Sequence, residues 1–188
     1  MTELADLFGR AQRQFGALVH QVGDGAWGNG TPCTDWDVRA LVNHLVYEAR
    51  WAPPLLAGAT LEEVGDQFEG DLLGSDPKTA YDEATAASTQ AARAPGVLER
   101  TVHLSYGDVP GGDYVGQMTI DFTVHAWDLA RGIGADDTLD ANLVKFAWET
   151  AEPQKEMLAA SGMFAAPIDV PAEADQQTRL LAMFGRKR

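Results

Sequence analysis

Asp121 and His125 stand four residues apart, the separation that brings two side chains to one face of an α-helix, one turn above the other. A carboxylate and an imidazole placed in this way can converge on one divalent cation. His44 lies in the run Leu41-Val42-Asn43-His44-Leu45-Val46, where its neighbours on the same helix face are apolar and point inward, so its ring needs a polar partner inside the fold. Two imidazoles and one carboxylate suit Zn²⁺, with Ni²⁺ and Fe²⁺ also served by these donors, and three protein ligands leave positions for water or substrate. Spacing alone leaves a plainer reading open: a hydrogen-bonded core histidine and an ordinary helix pair, because spacing does not say whether the helix carrying His44 faces the one carrying Asp121. His20, near the end of the first helix, and His103, in a candidate strand, read as surface residues.

The elements that must position these groups follow from periodicity and punctuation. Apolar residues from Leu4 to Val19 recur at helical spacing, and Gly23 and Gly25 end the pattern. Thr34 with Asp37 three residues later predicts the start of a second helix through His44 towards Trp51, ended at Pro53-Pro54 or kinked there with one more turn. An acidic stretch from Gly58 to Gly74 predicts a long surface connection. Asp76 and Pro77 open an alanine-rich third helix that stops at Pro95-Gly96. Val97 to Tyr106 and the turn residues after it suggest a small β-hairpin. A fourth helix is expected from about Tyr114 to Arg131 and a fifth from about Asp137 to Ser161, kinked at Pro153. An extended tail over Pro167 to Pro171 precedes a short last helix, Gln176 to Phe184. The fold class is therefore mainly all-α, a four-helix bundle with a crossover, and such bundles build ligand sites from side chains on facing helices.

Composition narrows the partners. The 188 residues suit one domain, with 28 acidic against 14 basic residues and a formal charge of −14. This charge argues against nucleic-acid phosphates and anionic membranes as partners. One cysteine, Cys33, and an N-terminus without a basic-then-apolar pattern fit a cytoplasmic protein. No run approaches the ~20 apolar residues of a membrane span.

Three passages resemble a known family. Thr31-Pro32-Cys33-Thr34-Asp35-Trp36-Asp37-Val38-Arg39-Ala40-Leu41-Val42-Asn43-His44 is similar to the opening motif of the mycothiol-dependent maleylpyruvate isomerase N-terminal-like, metal-binding proteins of the DinB-like superfamily. Asp121-Phe122-Thr123-Val124-His125-Ala126-Trp127-Asp128-Leu129-Ala130 resembles the second motif of that family. The passages Phe164 to Pro167, Arg179 to Ala182 and Phe184-Gly185-Arg186 resemble the close of its single-domain actinobacterial branch. The resemblance implies a DinB-type bundle with an up-down-down-up arrangement, with residues 1–165 forming the metal-binding bundle and residues 166–188 a tail packed on it. It implies His44, Asp121 and His125 as metal ligands and mycothiol as a cosubstrate, in transfer to, or isomerisation of, a small electrophile. The isomerase itself is expected to differ in having a glutamate at the position of Asp121 and a further C-terminal domain.

Other residues take lesser roles. Trp36 and Trp127 could wall a pocket or simply pack. Asp128 could orient a ligand histidine. Tyr47 and Glu48, one turn beyond His44, could approach a metal-bound water, and a solvated face serves Glu48 equally well. Cys33 reads as a packing residue. A non-catalytic metal- or ligand-binding module and a metallohydrolase using activated water stand as the alternatives to thiol chemistry, and association through helix faces would make the protein a homodimer.

Overall fold

The computed structural model describes residues 3–160 and 165–188. Helix α1 (Glu3–Val19) turns Phe8, Ala11, Phe15 and Val19 into the core. Helix α2 (Val38–Ala57) starts later than Thr34 suggests. Its cap is Asp37, whose carboxylate accepts from the Ala40 N–H at 2.8 Å. Thr34 lies instead in a turn closed by the Trp36 N–H on the Cys33 carbonyl, 2.9 Å.

At Pro53-Pro54 the stop gives way to the other reading, one more turn: α2 runs through both prolines to Ala57. Each proline removes one intrahelical N–H. Burial of Leu55 and Leu56 holds the final turn in place, and Gly58, at φ 100°, caps it with its N–H on the Leu55 carbonyl.

The connection that follows contains a short helix, α3 (Leu61–Val64), opened by a reciprocal cap between Thr60 and Glu63. Helix α4 (Pro77–Ala92) begins at the Asp76 cap and Pro77, as the sequence predicts. A 3₁₀ turn (Val97–Glu99) leads into the hairpin of β1 (Thr101–Leu104) and β2 (Gly107–Pro110), paired antiparallel with Val102 opposite Val109.

Helix α5 (Gly111–Ile133) begins three residues before Tyr114 because Gly111 lets it abut the preceding turn: a Cβ there would lie 2.2 Å from the Val97 carbonyl oxygen. Helix α6 (Ala141–Ala151) is capped by Asp140, not Asp137, which pairs with Arg131 at 3.3 Å. Pro153 does more than kink the expected fifth helix. It sits in a 3₁₀ turn (Glu152–Gln154) that separates α6 from α7 (Lys155–Ala160), and Ser161 lies outside the described residues, as does Phe164. Helix α8 (Gln176–Met183) buries Leu180 and Leu181, and the Ile168 N–H reaches the Ala182 carbonyl at 2.9 Å.

Side-chain contacts fix the helix directions. Arg93 near the end of α4 pairs with Asp6 near the start of α1, whereas Lys78 at the start of α4 reaches the His20 carbonyl just past the end of α1, so these two helices are antiparallel. Arg39 at the start of α2 bonds the Gly74 carbonyl just before α4, which makes α2 and α4 parallel. Gly112 lies beside Leu4, placing the starts of α1 and α5 together. The bundle is therefore up-down-down-up, the DinB-like arrangement. Phe122 of α5 meets Phe8 and Phe15 of α1 edge-on, each at 6.0 Å between ring centroids. The crossover between α2 and α4 is pinned by Asn43, which donates to the Gly70 carbonyl at 3.1 Å and accepts from the Leu72 N–H at 2.8 Å. Among the described residues, no helix is long and apolar enough to cross a membrane.

Candidate metal centre

Helices α2 and α5 run antiparallel, with Val38 at the start of α2 against Gly132 near the end of α5. Seven residues into α2, His44 therefore meets the middle of α5, where Asp121 and His125 share a face. The Asp121 carboxylate sits between the two rings: Oδ2 is 3.2 Å from His44 Nε2, and Oδ1 is 3.4 Å from His125 Nε2. One ligand atom from each residue lies within 4.8 Å of the other two. Two donors on one tetrahedral zinc, at bond lengths of 2.0–2.2 Å, would stand about 3.4 Å apart, the size of the two separations seen here, each to a different oxygen of Asp121. The His44 and Asp121 side chains keep 23% of their surface accessible and that of His125 only 6%, so the cluster is reached from one side.

The surroundings hold this arrangement. Trp36 stacks on His44 at 4.5 Å between centroids and lies 5.6 Å from His125. Thr31 Oγ1 donates to the Trp36 carbonyl at 2.8 Å, and Asn29 Nδ2 donates to the Gly132 carbonyl at 3.1 Å, which ties the loop before α2 to the end of α5. His125 Nδ1 lies 2.9 Å from Oδ2 of Asp128, a wholly buried carboxylate. Arg186, beyond α8, approaches the same carboxylate with Nη2 at 2.8 Å and Nε at 3.3 Å from each oxygen. Sequence reasoning missed Arg186, since a partner 58 residues away leaves no periodic trace. Cys33, read as packing, also borders the site. Its sulfur, a His125 ring nitrogen and an Asp128 oxygen form a second close trio.

Electrostatics follow from these neighbours. Burial alone would push the Asp121 carboxyl up, but the charge and hydrogen bonds of His125 and His44 prevail and hold it well below the usual carboxylate range. Burial opposes the charged form of His125 as well. Here Asp121 and Asp128 prevail and raise the ring to about 9 in the absence of an ion. Glu48, half-buried one turn beyond His44, is pushed up to about 7, first by burial and then by the charge of Asp121.

Tyr47 lies against Trp51, with ring centroids 5.8 Å apart, and burial raises its phenol. Trp127 belongs to the core, 1% exposed, with Arg131 over its ring at 5.8 Å. His20 and His103 are paired at the surface with Asp82 and Asp108.

The fold and this site define a helix-bundle protein with a two-histidine, one-carboxylate cluster open on one side. Residues 8–130 match the mycothiol maleylpyruvate isomerase N-terminal domain, and the chain belongs to that family. Two uncharacterized proteins from two strains of Mycobacterium tuberculosis are each 30% identical over 183 residues, covering 94% of this chain and 94% of theirs. The fold is similar to that in the crystal structure of a histidine-to-alanine mutant of mycothiol-dependent maleylpyruvate isomerase, with a TM-score of 0.69 and 16% identity over 92% of this chain and 77% of that one.

Proposed function

We propose that His44, Asp121 and His125 hold a divalent metal ion, zinc by the chemistry of its donors, and that the protein uses a low-molecular-weight thiol of the mycothiol type to transfer to, or isomerise, a small electrophile. The observation that carries this reading is the convergence of the three donors from two antiparallel helices at separations that suit one ion. When bound, the ion supplies a Lewis acid that favours the thiolate over the thiol at neutral pH. The chain does the rest. Asp128 orients the His125 ring, Trp36 covers the rings of His44 and His125, and Glu48, whose carboxyl titrates near neutrality, exchanges protons with groups entering beside His44.

Family membership supports the thiol in this reading. Asp121, as the shorter carboxylate, places the ion closer to the α5 backbone than a glutamate would. On the same reading residues 1–165 form the metal-binding bundle, residues 166–188 are a tail packed on it, and the chain works in the cytoplasm as a homodimer.

The test is a screen of purified protein with mycothiol and a panel of electrophiles, with and without a chelator. Thiol consumption that stops on chelation and returns with zinc is the expected result. Metal-dependent turnover of esters or amides without any thiol would replace this reading with the hydrolytic one, and metal binding without turnover would leave a binding module.

A further inference from the structure

We infer that Arg186 is a positioning residue for the candidate metal centre, acting through Asp128 on the ring of His125; the inference rests on the metal reading above. Asp128 is wholly buried and lies three residues after His125 on α5. An ionised carboxylate only accepts hydrogen bonds, so His125 donates to it from Nδ1 and is left with Nε2 facing Asp121. One imidazole donor does not hold a buried carboxylate in a single orientation. Arg186 supplies the rest: Nη2 donates to Oδ2 at 2.8 Å, and Nε sits 3.3 Å from both oxygens.

The guanidinium is itself fixed. Its Nη1 donates to the Phe184 carbonyl at 2.8 Å, its side chain is 6% accessible, and the Arg186 N–H closes back on the Leu181 carbonyl at 2.8 Å. Gly185 makes this turn possible with φ 77°, and a Cβ there would fall 2.6 Å from that of Ala165. A rigid relay thus runs from the end of α8 through Arg186 and Asp128 to His125, so the segment after α8 sets the angle at which His125 presents Nε2. Without the guanidinium, the buried carboxylate must shift or draw in water, and the imidazole follows it.

The experiment compares zinc affinity by competition with a chromogenic chelator in the unaltered protein, Arg186→Met, Arg186→Lys and His44→Ala, with NMR of the metal-free proteins to observe the His125 Nδ1–H. Arg186→Met keeps the aliphatic stem and should weaken zinc binding at least threefold, towards the about 10- to 100-fold expected for loss of Asp128, the direct partner of His125, with faster solvent exchange of the Nδ1–H. Arg186→Lys, which keeps the charge but not the fork, should recover only part of the loss. Arg186→Met that binds zinc within twofold of the unaltered protein and keeps a protected Nδ1–H overturns the inference and leaves the metal reading intact. If Arg186→Met does not fold, Arg186→Lys decides: a loss of threefold or more supports the inference, and unchanged affinity overturns it. Zinc binding that is absent from the unaltered protein, or unaffected by His44→Ala, overturns the metal reading and the inference together.

Discussion

Metal binding at this cluster should release protons in an amount fixed by the surroundings of His125. In the metal-free protein, Asp121 and Asp128 hold His125 at about 9, so at pH 7 its ring is almost fully protonated. A ligand nitrogen must be neutral, and zinc therefore has to displace that proton: about one per chain at pH 7 and about half at pH 9. The same competition makes affinity rise with pH, by about 50-fold between pH 7 and pH 9 and most steeply below 8. Glu48, held at about 7, adds up to about half a proton at pH 7 when an ion lowers it, so the Glu48→Gln protein removes that contribution. Calorimetric titration with zinc in buffers of different ionisation enthalpy counts the protons directly. A Glu48→Gln protein that binds zinc with no proton release at pH 7, or with affinity flat from pH 7 to 9, would refute the assignment of His125 as a ligand paired with two carboxylates.

Three further outcomes are expected. Because its folded value lies above the ordinary histidine value, His125 contributes stability that is fully present below about pH 6.5 and lost as pH rises through about 9. Urea unfolding of the metal-free protein should accordingly register a loss of ~3 kcal/mol across that window, with the Glu48 share lost earlier, between about 4.5 and 7; stability that is flat or rises would contradict the geometry. Asn43→Ala removes both bonds that pin the crossover and should cost about 1–2 kcal/mol, with faster hydrogen exchange at Leu72. Gly111→Ala drives a Cβ to 2.2 Å from the Val97 carbonyl oxygen and should destabilise by about 1–3 kcal/mol in thermal denaturation, whereas an unaffected midpoint would mean that α5 does not start against that turn.

The elements with sustained periodicity are legible in the sequence. Helix α1, the body of α2, α4 and the length of α5 through Arg131 follow from apolar spacing, and Asp76-Pro77 marks its helix start correctly. The departures are local. Pro53-Pro54 reads as a stop or as a kink with one more turn, because each proline removes a backbone donor; tertiary burial of Leu55 and Leu56 outweighs that loss and keeps the extra turn. Helix α3 has four residues, too few to show a period, although its Thr60–Glu63 cap is written in the chain.

Within the site, the step from Asp121 to His125 is a property of one helix and could be read from it. Whether His44 meets that pair depends on the packing of α2 against α5, which periodicity does not encode. Arg186 comes to the cluster from beyond α8, 58 residues after Asp128, and Cys33 from the loop before α2; their types alone give no sign of it.

Where a metal ion binds is the most direct test of the two-histidine, one-carboxylate site. Crystals of zinc-loaded protein measured at the zinc absorption edge should show one anomalous peak per chain between α2 and α5, at roughly 2.0–2.2 Å from a ring nitrogen of His44, a ring nitrogen of His125 and a carboxylate oxygen of Asp121. A peak that avoids these three side chains, or no peak in protein soaked with stoichiometric zinc, would contradict it.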